Sequence, residues 1–523
     1  MTTSAHTSPP HRAERPTASA QTASSPRVSL PGALIGVILV ASFMDLLDVT
    51  IVAVAAPDIQ RSLGASPAQL QWMIAAYALA LGAALITGGR LGDEYGRRRV
   101  FLTGLAAFVL ASAACALAPS AGVLVAMRVA QGLAAGLMVP QVFGIIRASL
   151  SPEQMGKALG AYGGVQGLAS IAGPLLGGLL VTADLFGLGW RMIFLVNVPV
   201  GLVALFIGWR VLPESRARAG ARLDVLGVVL LAAALVLILL PVVQGQAWGW
   251  PRWGWGLLAG GVVLLGIFVA VEQRLAASGG QPILDPHLLR NRAFSGGLLA
   301  SLAFFGGIAP FFLLLSVYLQ EGTGRSALAT GLVTLPYALG SMVTSGIGVA
   351  LGQKHGRALL IVGSLVIAAS HAAMWAVVTR LADPAWWQLG GPLLLGGLGL
   401  GLAAPPLVNV ILAAVPARVA GAAGGVLSTV NQIGGSIGVA VLGTVFFTRV
   451  ADLASGAAGT SSTAASGPGA GSAAVFADAL ASTLPWQIGL YLVAAALMTL
   501  LPRRPASAEH AAEYAEPLAP EAH

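Results

Sequence analysis

The sequence predicts an all-helical, polytopic membrane protein of about fourteen spans. Three observations carry that prediction. The 523 residues are 56% hydrophobic and 9% charged, with a mean hydropathy of +0.83, and a soluble domain needs far more charge to face water. Apolar segments near the length a bilayer demands, about 20 residues, recur from end to end. The basic residues behind a formal charge of +8 lie in short stretches between those segments. That arrangement orients a membrane protein and does not build a nucleic-acid surface.

Residues 1–29, rich in Ser, Thr, Pro and Ala, read as a disordered cytoplasmic tail, and the apolar run from Leu30 is too long for a signal core. Spans follow at 30–56, 68–88, 100–118, 121–147, 158–181, 190–211, 223–243, 253–273, 294–319, 327–352, 358–379, 388–414, 420–448 and 484–502. The run Ser455–Ala473, made of Gly, Ser and Ala, reads as a flexible loop, and the polar residues 503–523 as a second disordered tail. Alternate loops and both tails hold twenty-one Lys and Arg, against six in the other loops. Both termini are therefore expected in the cytoplasm of a cell with the chain in its inner membrane. Trp248, Trp250, Trp253, Trp255, Trp386 and Trp387 fall at outer span ends, where indole prefers the interface.

The first span carries two carboxylates, Asp45 and Asp48, while Asp58 is placed past the helix end. An Asp near a span centre costs about 2.5–3.5 kcal/mol on insertion scales, so two of them need a reason. At i, i+3 they project about 60° apart from adjacent turns, close enough to share or exchange a proton. The plain structural reading is that they satisfy polar neighbours in a bundle. Arg128 is the single basic residue placed deep in a span, and a lone guanidinium there needs a partner. Asp48 lies about 12 Å and Arg128 about 10 Å from the outer ends of their helices at 1.5 Å per residue, which are matching depths.

After the second span comes Gly89-Arg-Leu-Gly-Asp93-Glu-Tyr-Gly96-Arg97-Arg98-Arg99. Glycines turn sharply, and an acid before arginines can form ion pairs that break as helices shift. This stretch resembles the signature loop of the major facilitator superfamily. Leu47-Asp48-Val-Thr50-Ile-Val-Ala53-Val-Ala-Ala56-Pro57 resembles the first-span signature of its fourteen-span drug:proton antiporters, departing at Ala53, where that family has Asn, and at Ala56, where it has Leu. Arg128-Val-Ala-Gln131-Gly132 is similar to a fourth-span motif of the superfamily. Gly167, Gly173-Pro174 and Gly177-Gly178 are similar to the antiporter motif of span five. Trp190-Arg191 through Asn197-Val-Pro199 and Gly434-Gly435-Ser-Ile-Gly438 extend the likeness over nearly all but the tails.

The resemblance implies the major facilitator fold: a six-helix half at 30–212, two extra helices within 213–293, and a second six-helix half at 294–502. Gly352-Gln-Lys354-His355-Gly356-Arg357 supports this plan, since it repeats the Gly89–Arg99 loop in faded form after the second span of the later half. Parallel halves place a site at the midplane between them. In that fold the first and fourth helices are neighbours, which implies an Asp48–Arg128 interaction that protonation weakens. Asp45 shares the proton or meets a cationic substrate. The expected activity is proton-coupled efflux of lipophilic drugs or antibiotics, with Gln131, Gln166, Asn409, Asn431 and Gln432 as polar wall contacts or helix-packing glue. Uptake of a metabolite on the same fold is the alternative.

An enzyme needs a nucleophile, a metal set or a paired acid and base across several helices, and a channel needs a ring of like groups; beyond the two first-span Asp residues the spans offer neither. Cys115 stands alone, and among seven His only His371 falls in a span, so no disulfide framework or metal set is expected. No cofactor is expected beyond the proton gradient. The expected partners are a small lipophilic substrate, protons and the lipid bilayer, with the chain acting as a monomer.

Overall fold

The computed structural model describes residues 31–216, 224–245, 247–278, 280, 291–413, 415, 420–459 and 470–501. Both tails lie outside these. Among the described residues the regular structure is helical, in fourteen long elements, thirteen of which are long and apolar enough to cross a membrane. They are α1 (Pro31–Leu63), α2 (Pro67–Tyr95), α3 (Arg97–Ala116), α4 (Ala121–Ser149), α5 (Pro152–Ala183), α6 (Gly189–Val211), α7 (Val225–Gln244), α8 (Arg252–Ala277), α9 (Arg292–Gly322), α10 (Ala327–Gly352), α11 (Lys354–Val378), α12 (Trp386–Ala413), α13 (Ala420–Gly459) and α14 (Ala470–Met498). Ser66 and Ser151 start α2 and α5 with full capping boxes, each followed by a proline at the first helical position.

Several boundaries differ from the sequence expectation, among them the end of α2, which runs to Tyr95, and the start of α5, at Pro152. α1 runs on through Pro57 to Leu63, so Asp58 lies inside it, where Arg61 holds it at 2.5 Å one turn away. A proline removes one backbone bond, and burial of Ile59 and this pair hold the last turn. The expected loop Ser455–Ala473 is shortened from both sides, by α13 reaching Gly459 and α14 starting at Ala470, with 460–469 outside the described residues. Alanine is the strongest helix former, and Ala473, Ala477 and Ala479 bury a face that loop reasoning overlooked. Finally, α10 and α11 continue into one another with His355 alone non-helical, at φ −126°.

α1 to α6 pack among themselves, as do α9 to α14. The two halves meet along two seams. On one, α2 lies on α13, where Thr429 donates to the Gly82 carbonyl at 2.8 Å and Ser436 to the Ala75 carbonyl at 3.1 Å. On the other, α5 meets α10 through backbone: a Cβ on Gly178 would stand 2.5 Å from the Ala327 oxygen, and one on Gly331 2.3 Å from the Pro174 oxygen. Near the C-terminal end of α1, Gln320 of α9 donates to the Val54 carbonyl at 2.7 Å, and Arg61 reaches Glu321 at 3.3 Å.

Candidate functional site: a buried ion pair between the first and fourth helices

The site begins with how closely α2 approaches α4. A Cβ on Gly132 would sit 2.4 Å from the Tyr77 oxygen and one on Gly88 2.1 Å from the Gly136 oxygen, so these positions must be glycine for the two backbones to touch. Arg128, one turn before Gly132, is thereby pressed against Tyr77, with its guanidinium 4.1 Å from the ring centroid. Its Nε donates to the Met73 carbonyl at 3.0 Å, and Nη1 donates to the Gln131 oxygen at 2.7 Å and to Asp48 Oδ2. Arg128 is 1% exposed and Asp48 0%.

The remaining contacts come from Gln131 of α4 itself and from two more helices, α3 and α6. Gln131 Nε2 donates to Asp48 Oδ1 at 2.8 Å and to Ser112 at 2.9 Å, and Asn197 of α6 donates to the same Asp48 oxygen at 3.4 Å. The Cys115 thiol points at Gln131 Oε1 at 3.6 Å. A buried charge pair is stabilised when its other hydrogen-bonding positions are occupied, and here both Asp48 oxygens and the Arg128 Nε and Nη1 groups have partners. Asp45 stands apart. It is half-buried and accepts from the Tyr77 hydroxyl at 2.6 Å. Tyr77 therefore touches both the guanidinium and the second carboxylate.

Sequence reasoning placed Arg128 and Asp48 at one depth, and the structure brings them into contact. Gln131, expected as a wall contact or as packing glue, is fully buried with its amide on the ion pair and Ser112. Tyr77 and Ser112 went unnoticed in the sequence, and Asn197 appeared there only within a motif. Their signal is weak, since each is an uncharged polar residue in an apolar span. Asn431 accepts from Ser301 at 2.5 Å on a partly open face, with Gln432 beside Gly82; Asn409 is exposed on α12. The side chains of Gln166 and Gly167 lie outside those described.

The stretch the sequence reads as a loop is helix on both sides of one residue: Gly89–Tyr95 ends α2, Arg97–Arg99 opens α3, and Gly96 between them turns at φ +106°, a conformation that requires glycine. Arg97 holds Asp93 at 2.8 Å and donates to the Gly144 carbonyl at 3.1 Å, tying the turn to α4. The sequence singled out Arg98 without its partner. Its backbone N–H donates to Glu214 at 3.2 Å, and its side chain donates to the Trp209 carbonyl, both beyond the start of α6. Gly89 faces Pro140 at an ordinary 3.7 Å. In α5, which runs as one helix through Pro174, Gly173 and Gly177 abut α1: a Cβ there would stand 1.9 Å from the Thr50 hydroxyl and 2.8 Å from Ile51.

Residues 38–439 match the model of the Major Facilitator Superfamily. The chain belongs to the major facilitator superfamily. This transporter is 41% identical to the "Probable actinorhodin transporter" of Streptomyces coelicolor, over 79% of this chain and 72% of that one. It is 37% identical to the "Tetracenomycin C resistance and export protein" of Streptomyces glaucescens, over 87% and 81%. In fold it resembles the crystal structure of an auto-inhibited POT family peptide transporter, at TM-score 0.64 and 14% identity, covering 91% and 99%. It is a multi-pass membrane protein that moves small molecules and is not an enzyme.

Proposed function

We propose that the chain is a fourteen-span drug:proton antiporter of the cytoplasmic membrane, with both termini inside, that exports antibiotic-like small molecules by alternating access. The export names of its Streptomyces relatives support the cargo class. The buried Asp48–Arg128 pair is the observation that carries the coupling. A proton arriving on Asp48 removes the charge that faces Arg128, and the guanidinium is left to its neutral partners, the Met73 carbonyl, Gln131 and the Tyr77 ring. Losing one partner of a buried pair costs about 3–5 kcal/mol, enough to shift a conformational equilibrium by orders of magnitude. Cargo binding in the same half competes with the proton, and release of each resets the other.

The carrying experiment is Asp48→Asn in proteoliposomes with an imposed pH gradient. Proton-driven efflux is expected to vanish, while the protein stays in the membrane and still exchanges cargo between equal pools. Undiminished uphill efflux in that variant refutes the coupling role.

A further inference from the structure

The outward face shared by α1 and α6 carries a groove of about 540 Å³. Ala33, Gly36 and Val40 of α1 form one wall, and Val200, Val203 and Ile207 of α6 the other. These positions recur every three or four residues, so each helix lends one stripe along about 10 Å of its length at 1.5 Å per residue. Behind the stripes the two helices touch: a Cβ on Gly208 would stand 3.2 Å from Val37, and one on Gly201 3.1 Å from Met44. Gly36 is different. A Cβ there would meet nothing within 4 Å, so this glycine serves no close approach and leaves a hollow.

One end of the groove is marked by charge. Arg210 follows Ile207 by three residues on the same stripe, and its guanidinium lies 4.1 Å from the centroid of the Phe206 ring, which is 55% exposed. Helical side chains lean toward the N-terminus, so the cation is turned back along α6 toward the groove. Among the described residues no carboxylate pairs with it. Glu214, four residues on, is engaged by Arg99 at 3.6 Å and by the Arg98 N–H at 3.2 Å. Arg98 also donates to the Trp209 carbonyl, which offsets the electronegative end of α6. A cation on an exposed aromatic ring, at one end of an apolar groove on a membrane-spanning pair of helices, matches an amphiphile with an anionic head.

We propose that the groove seats one acyl chain of an anionic phospholipid whose phosphate meets Arg210. In a bilayer the chain itself gains little, because lipid tails are as apolar as the groove wall; shape therefore fixes where the lipid lies, and charge fixes which lipid it is. A free phosphate has no use for the groove, and a neutral lipid none for the cation. The lipid bridges α1 and α6 close to their buried contact, since Asn197, which donates to Asp48, stands two residues before the groove's far end at Pro199.

Native mass spectrometry of the full-length protein, released from nanodiscs of equal phosphatidylglycerol and phosphatidylcholine, tests this by identifying the last lipid to leave on collisional activation. The parent should keep phosphatidylglycerol over phosphatidylcholine by about fivefold, the preference one basic residue supplies at an anionic surface. Arg210→Gln should bring that ratio near one, and Gly36→Phe, whose side chain enters open space, should lower retention of both lipids; Ala33→Leu serves if Gly36→Phe does not fold. No preference in the parent, an unchanged ratio in Arg210→Gln or unchanged retention in the groove-filling variant overturns the proposal. Displacement of the lipid by inorganic phosphate alone, or a dimer that Gly36→Phe dissolves, also overturns it, by giving the site to a free anion or to a second copy of the chain.

Discussion

At the scale of single residues, the two acids of α1 are separated by their surroundings. Asp48 is enclosed by Arg128, Gln131 and Asn197, whereas Asp45 is half-buried with only the Tyr77 hydroxyl shown against it. In the antiport proposed above, the enclosed acid takes the proton and the open one meets cargo. Asp45→Asn is therefore expected to cut efflux of cationic compounds about tenfold while neutral compounds pass nearly unchanged, a contrast read by comparing matched substrates in one vesicle preparation. Gln131→Ala strips Asp48, Ser112 and Arg128 of a bond each in a dry interior and should destabilise the protein by about 3 kcal/mol, measured by unfolding in detergent. The pair itself was legible in the sequence because charge inside an apolar span stands out. Tyr77, Ser112 and Asn197 were not, because an uncharged polar side chain in a helix bundle signals packing as readily as function.

At the scale of helices, glycine decides who touches whom. Gly173 and Gly177 hold α5 on α1, and Gly178 with Gly331 holds α5 on α10. Gly173→Val should cost about 1–3 kcal/mol by overpacking against Thr50 and leave a passive proton leak, detected with a pH dye in energised vesicles; tight vesicles and normal transport would exclude a sealing role. The number and order of helices were readable from apolar lengths alone. Their ends were less so: Pro57 does not stop α1, and an Ala-rich stretch read as loop is partly helix, because packing outweighs local composition. The seat of α7 along the α2–α13 seam was not readable at all, since an all-apolar helix carries no mark of which neighbours it will choose.

At the scale of the whole molecule, magnitudes say what joins the two halves at the end where α1 finishes. Arg61 with Asp58 and Glu321 makes an exposed ion group, and such pairs contribute about 0–1 kcal/mol. Glu321→Gln is accordingly expected to alter the transport rate less than about twofold at any ionic strength, checked by counterflow in low and high salt. The seal rests instead on main chain lying against main chain at Gly178 and Gly331. Such a joint has no side-chain chemistry to vary: it is either intact or lost. Cargo preference can then drift through substitutions on the cavity wall without loosening the barrier, so a lineage of pumps built this way acquires new antibiotics to expel while its membrane stays proof against ions.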